Sequence, residues 1–199
     1  MYLWRKLNPV QQEELLTWRK KHGRPWHSPL RRDSTLTDAY LFTAACYEHS
    51  AHIGLNPNRL HQFESGLLDT VRTAAHDLIA WVVLPNHYHF LARTPSAKSM
   101  LSALGQLHGR TSHQWNGGEN TRGRQVWHRA VETVMKSEGH FWATVNYINH
   151  NPVKHRYVEK WQDWPWSSVH DFLAAHGREE ALTLWKDYPT ADYGKGWDD

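Results

Sequence analysis

Apolar positions recur along this chain in two periods, and the switches between them lay out the fold. Asp38 to Tyr47 (DAYLFTAACY) reads as a first strand. Asn56 to His76 carries Leu60, Phe63, Leu67, Leu68 and Val71 near helical spacing, which predicts an amphipathic helix. Trp81 to Leu91 (WVVLPNHYHFL) reads as an apolar strand, a Pro85-Asn86 corner and a second strand, a tight hairpin-like pair. From Ser96 to about Trp115 a second helix turns Met100, Leu101, Leu104 and Leu107 inward, with Ser96 or Ser99 as its cap. Gly117, Gly118 and Gly123 predict a mobile basic loop, Val126 to Met135 a last strand, and Ser137 to Asn151 a third helix. On that helix Phe141, Thr144, Val145 and Ile148 share a face expected to pack on the sheet. Tyr147 is expected on nearly the opposite side, Asn151 one turn beyond it, and Pro152 is expected to end the helix.

Flanking this core, residues 9–21 (PVQQEELLTWRKK) read as a short helix and 23–29 (GRPWHSP) as a loop. Residues 160–185 read as a Trp-rich crossing followed by one or two short helices. The expected organisation is a basic helix and arm at 1–37, a central domain at 38–158, and a tail at 159–199 packing on it. The order β-α-β-β-α-β-α gives an α+β protein with one antiparallel sheet covered by helices, and leaves several such topologies open.

Composition narrows the class. The 199 residues suit one domain with extensions. A single cysteine, Cys46, excludes an internal disulfide framework and a cysteine-based zinc site, and is expected to pack in a strand. No signal peptide or membrane-length apolar run is evident, so a cytoplasmic protein without a membrane partner is expected. The net charge of +3 is unevenly placed. Arg5, Lys6, Arg19, Lys20, Lys21, Arg24, Arg31 and Arg32 face only Glu13 and Glu14 in the first 32 residues, while the tail from Asp171 has seven acids against three bases. A basic body suits a polyanion partner. Twelve tryptophans could stack on unpaired bases, though most are expected in the core.

Two short patterns carry candidate chemistry. On a strand, His87 and His89 project from one face and Tyr88 and Phe90 from the other. Parallel imidazoles at that spacing form half of a divalent-metal site, expected in a solvent-reachable pocket; the plain alternative is two histidines packed on a half-buried sheet. Tyr147 beside Asn151 reads as a poised hydroxyl next to an amide, or else as a surface tyrosine with a helix-ending asparagine. Tyr157 is the nearest rival, but it lies past Pro152.

Together these stretches resemble the Y1 HUH single-strand transposases. PNHYH matches the His-hydrophobe-His motif, with Tyr88 in its middle. The run FWATVNYINHNPVKHRYV with Trp164-Pro165-Trp166-Ser167-Ser168, and the segment Gly109 to Arg129, are similar to the REP-associated branch of that superfamily. The resemblance covers roughly residues 38 to 170 and implies a ferredoxin-like sheet. It further implies that His87 and His89 hold a metal and that Tyr147 attacks a DNA phosphate, leaving a 5′-phosphotyrosine and a free 3′-hydroxyl. By the same resemblance the third ligand falls on Asn151, with His150 and His140 competing. Mg²⁺ or Mn²⁺ suits a site that must bind phosphate oxygens. The implied partner is single-stranded DNA bearing REP-like hairpins, and the implied state is a monomer or a homodimer. Arg24, Arg31, Arg32, Arg110, Arg122, Arg124, Arg129 and Lys154 are the expected DNA-binding cations. Two other functions remain open at this point: a degenerate relative that binds hairpins without cutting, and a metal-dependent hydrolase with a water nucleophile.

Overall fold

The computed structural model describes residues 38–190 and Tyr193. The predicted helix at 9–21, the loop at 23–29 and Arg24, Arg31 and Arg32 lie outside the described residues. Four strands, β1 (Ala39–Ala45), β2 (Asp77–Val83), β3 (His87–Arg93) and β4 (Val131–Val134), form one sheet in the order β2-β3-β1-β4. All three pairings are antiparallel. With α1 (Pro57–Ala74) and α2 (Ala97–Gly118) as the crossovers, this is the ferredoxin-like arrangement, now fixed where the element order alone was not.

Local chemistry starts each helix. The side chains of Asn56, Ser96 and Ser137 accept from the backbone N–H of Arg59, Ser99 and His140, and Pro57 occupies the first turn where its missing donor costs nothing. On α1 the inward residues are Leu60, Phe63, Leu67, Leu68 and Val71, as their spacing predicts. Leu101 of α2 is only half-buried, whereas Trp115 and Asn116 are buried near its end. Gly117 and Gly118, expected in the loop, are the last residues of α2. The loop proper is only the turn around Gly123, whose φ of 89° suits a residue without a Cβ. The predicted strand at 126–135 contracts to β4, with Trp127 reaching Cys46 through an isolated bridge. Cys46 thus sits one residue beyond β1; it is fully buried, and burial pushes its thiol up to about 12, which leaves no thiolate for chemistry.

The two faces of the sheet bury different things. Under α1 and α2, Tyr88 and Phe90 stack with Phe42 and Phe63 in an apolar layer. One polar thread runs through it. The Tyr88 hydroxyl lies 3.0 Å from His108 Nε2, the His108 ring stacks on Trp127, and Trp127 Nε1 donates to Thr111. Outside this layer, Glu119 ties α2 to α1 through Arg59 and to the following turn through Arg124.

On the opposite face lies α3 (Glu138–Lys154), which is covered on both sides. The sheet is on one side, and α4 (Val169–Asp187), bent at Gly177, is on the other. Asn146 of α3 donates to the carbonyls of Leu184 and Tyr188, and His150 is sandwiched between Trp161 and Trp185. The segment Trp164–Ser168 closes the β2 edge: Val83 N–H donates to Trp166 O, Trp81 N–H to Ser168 Oγ, and Trp164 Nε1 to Val83 O. Such cover removes a free strand edge that would otherwise pair with other chains.

Burial holds His108 neutral, pushing it down to about 4 from an ordinary value near 6.5. Its folded value is below its unfolded one, so its contribution to stability is complete above pH 6.5 and is lost as pH falls from 6.5 toward 4. By linkage the loss reaches about 2.5 kcal/mol at pH 4.5. Urea unfolding at pH 7.0 and pH 4.5 measures this. The variant His108→Gln keeps a partner for the Tyr88 hydroxyl and should show a smaller fall between the two pH values; an undiminished fall would assign the acid sensitivity elsewhere.

Candidate active site

Strand pairing builds the site. In the β1–β3 register Thr43 stands opposite His89 and Ala45 opposite His87. Paired residues share a face, so the Thr43 hydroxyl meets His89 Nδ1 at 2.8 Å, while the small Ala45 leaves room beside His87. The Pro85-Asn86 corner supplies the second support. Asn86 Nδ2 donates to His49 O, which turns its Oδ1 toward His87 Nδ1 at 2.8 Å. That corner is held from outside by Gly54, whose N–H donates to Pro85 O; a Cβ on Gly54 would fall 2.7 Å from Pro85 Cα, so no larger residue fits. With both Nδ1 atoms engaged from behind, the two Nε2 atoms point the same way, toward α3.

What they meet is Tyr147 and Asn151. The Tyr147 hydroxyl lies 3.3 Å from His89 Nε2, and Asn151 Oδ1 lies 3.1 Å from His87 Nε2. Tyr147 is therefore not turned away from the sheet as the helical pattern suggested. At roughly 100° per residue it lies nearly opposite Val145 but only about a quarter turn from Ile148, and with Thr144 and Asn151, both within about 60° of it, it forms a strip that meets β3. Pro152 does not end the helix either. It forfeits one N–H, but the turn continues to Lys154 and closes through His155 N–H on Asn151 O and Tyr157 N–H on Pro152 O. This extra turn brings Lys154 Nζ 5.1 Å from the centroid of the Tyr147 ring, a cation–π distance.

The site is closed rather than solvent-reachable: His87 is 2% exposed, His89 and Asn151 0%, and Tyr147 2%. Tyr193 contributes to the cover, its ring edge-on to Tyr147 and its hydroxyl shared between Thr144 Oγ1 and His140 Nε2. Burial pushes the Tyr193 phenol up to about 12. His140 is thus engaged by Tyr193, and burial lowers its pKa. His150 is engaged by two indoles and by Asn146 O, and burial pushes it down to about 4. Of the three candidates for a third ligand, the fold brings Asn151 to the histidines. Tyr157, the rival hydroxyl, stands 41% exposed beside Trp164.

The donor set fits a divalent cation. Asn86 fixes the hydrogen of His87 on Nδ1, so Nε2 offers a lone pair toward Asn151 Oδ1, itself an acceptor, while Asn151 Nδ2 is buried without a partner. Two acceptors facing one another are an arrangement that a bound cation relieves. Among the described residues no three His, Cys, Asp or Glu side chains gather as a metal-binding group, so two imidazoles and one amide oxygen are the ligands available.

Among the expected DNA-binding cations, Arg110, Arg122, Arg129 and Lys154 are exposed. Arg124 is half-buried, donating to Glu119 and Asn116, and acts as a tie within the fold. Thr43 and His155 escaped sequence reasoning. Thr43 needs the strand register to be paired with His89, and His155, whose ring centroid lies 4.8 Å from that of His87, needs the extra turn past Pro152. Among the described residues no helix is long and apolar enough to cross a membrane.

No family model matches the chain. A Haemophilus influenzae protein provisionally named a REP-associated tyrosine transposase is 26% identical over 153 residues, 72% of this chain and 86% of the relative. The REP-associated tyrosine transposase of Escherichia coli K12 is 29% identical over 108 residues, 54% of this chain and 63% of the relative. A solved structure of a REP-associated tyrosine transposase bound to a REP hairpin superposes with a TM-score of 0.55 at 23% identity, covering 74% of this chain and 86% of that one. Sequence similarity and shared fold agree with the resemblance carried by PNHYH, the Tyr147 run and the 109–129 segment, and the chain is similar in sequence and in fold to the REP-associated tyrosine transposases.

Proposed function

We propose that this protein cleaves and rejoins single-stranded DNA at hairpin-forming, REP-like sequences, with Tyr147 as nucleophile and Mg²⁺ or Mn²⁺ as cofactor. The observation that carries the reading is the convergence of Tyr147 and Asn151 on the Nε2 atoms of His89 and His87. His87, His89 and Asn151 would hold the cation, which when bound withdraws charge from the non-bridging phosphate oxygens. The Tyr147 oxygen gives up its phenolic proton and attacks phosphorus, an O–P bond forms to the tyrosine, the bond from phosphorus to the 3′-oxygen breaks, and the 3′-oxygen takes up a proton, so that the step is proton-neutral overall. The phosphodiester energy is kept in the 5′-phosphotyrosine, so the same 3′-hydroxyl can reverse the step without ATP. Lys154, above the ring, sets a cation beside the nucleophile. The α3 backbone keeps the nucleophile and Asn151 one turn apart, which fixes the attacking atom relative to the histidines.

Tyr147→Phe removes only the hydroxyl. Binding of an end-labelled hairpin should change by less than about tenfold, since one hydrogen bond at most is lost, while the DNA adduct that survives boiling in detergent disappears. Tyr157→Phe should keep the adduct. An adduct that persists in the Tyr147→Phe protein removes Tyr147 from the mechanism.

Thr43 is a positioning residue for His89. Thr43→Val keeps the shape and removes the hydroxyl, and should lower Mn²⁺ affinity by about 10- to 100-fold; Thr43→Ser should retain it. Titration of Mn²⁺ by electron paramagnetic resonance reads this without cleavage, and equal affinities in the wild-type and valine proteins would cancel the role.

The exposed arginines and Arg124 separate by salt dependence. Arg110→Ala or Arg129→Ala should each reduce the slope of log Kd against log salt by about one. Arg124→Ala should instead lower the melting temperature through loss of the Glu119 pair and leave the slope unchanged.

A further inference from the structure

Beside the candidate active site, on the neighbouring flank of α3, lies a groove of about 460 Å³ lined by His150, Val153, Lys160, Trp161, Gln162, Arg178 and Glu159. We propose that this groove binds one unpaired nucleotide of the DNA strand that runs past Tyr147, stacking its base on Trp161, holding its phosphate between Lys160 and Arg178, and reading an exocyclic amino group with Gln162. The inference rests on the single-strand reading above and adds to it a place and a base preference.

The volume is that of a small-ligand pocket, large enough for one nucleotide and too small for a duplex. Position follows from the helix. His150 is three residues after Tyr147 and four before Lys154, so it neighbours both on the surface of α3. The indole is pre-set: His150 stacks on it with centroids 4.6 Å apart and planes 15° apart, and Trp185 stacks behind His150 at 3.5 Å. A partly exposed ring backed in this way is a rigid platform, and every base has a face to lay on it. Lys160 and Arg178 are exposed and form no ion pair among the described residues, while His150 stays neutral because burial depresses its pKa. Against the Glu159 carboxylate these two cations leave a lining of net charge +1 (two cations, one anion), enough for one phosphate.

Gln162 gives the groove its chemistry. The residue is half-buried, yet its Oε1 is fully enclosed and has no hydrogen-bond donor. An acceptor withdrawn from solvent without a partner is a standing cost, and turning the half-buried amide into the groove to meet a ligand N–H removes it. Adenine, cytosine and guanine carry an exocyclic amino group that projects from the ring, whereas the N3–H of thymine lies between two carbonyl oxygens that would face the same acceptor, so the groove favours the first three.

The test uses the full chain with fluorescein-labelled single-stranded octamers of deoxyadenylate, deoxycytidylate and deoxythymidylate, read by anisotropy, together with an octamer carrying 5-iododeoxycytidine for photocrosslinking. The wild type should bind the adenine and cytosine octamers about fivefold or more tighter than the thymine octamer, the effect of one satisfied buried acceptor. Gln162→Leu should erase that preference. Arg178→Ala, on the exposed surface of α4, should weaken all three octamers alike while leaving the melting temperature unchanged. The crosslink should map to the peptide containing Trp161. A crosslink on another peptide, or a base preference that survives Gln162→Leu, overturns the groove. If hairpin DNA still forms the Tyr147 adduct in that case, the transesterase reading stands and only the groove falls; if the protein binds no single strand and forms no adduct, both fall.

Discussion

Side chains on a strand alternate faces, and β3 makes that alternation carry two incompatible environments within four residues. His87 and His89 face α3 and the candidate chemistry, whereas Tyr88 and Phe90 face α1 and α2 and the apolar core. A one-residue slip of the β1–β3 register would place imidazoles among Phe42 and Phe63 and set Tyr88 against Tyr147. The register is held at one end and in the middle. The Asn86 corner is locked by backbone bonds to Cys46 and Gly54, and the stacked Phe42–Phe90 pair holds the middle.

Given that register, the rest of the site is a matter of what lies behind each ring. Thr43 and Asn86 engage the Nδ1 atoms and thereby aim the Nε2 atoms, and α3 can approach only because Ala45 opposite His87 is small. The helix is pressed into place from its far side by the ladder of His150 between two tryptophans and by Asn146 on the α4 carbonyls. The Trp-rich segment after α3 therefore has two duties: it closes the β2 edge, and it seats the helix that bears Tyr147. Tryptophans in this region act by packing, and Trp161, stacked on His150, also lines a groove.

Burial divides the titratable groups in a consistent way. Cys46, Tyr88 and Tyr193 are pushed upward and His108 and His150 downward, each toward its neutral form, because each sits where a charge would be poorly solvated. The Arg59–Glu119–Arg124 cluster is the contrary case. There the Arg124 and Arg59 hydrogen bonds hold the Glu119 carboxylate below its usual range, and an arginine that looks like part of a DNA-binding loop is spent on holding α1, α2 and the turn at Gly123 together.

Local patterns determined the elements. The Ser96 cap, the apolar spacing of α1 and the alternation across PNHYH depend only on neighbours within a few residues, and those features are as the sequence predicts. The motif resemblance pointed to the residues that meet at the site, because it records which side chains converge without saying how. Tertiary structure alone decided the orientation of Tyr147, the survival of α3 past Pro152, the pairing of Thr43 with His89 and the diversion of Arg124 to Glu119. Helical periodicity misplaced Tyr147 because it assumes one buried face, and α3 is buried on two. Each of these outcomes depends on contacts between residues far apart in the chain, which no local pattern encodes.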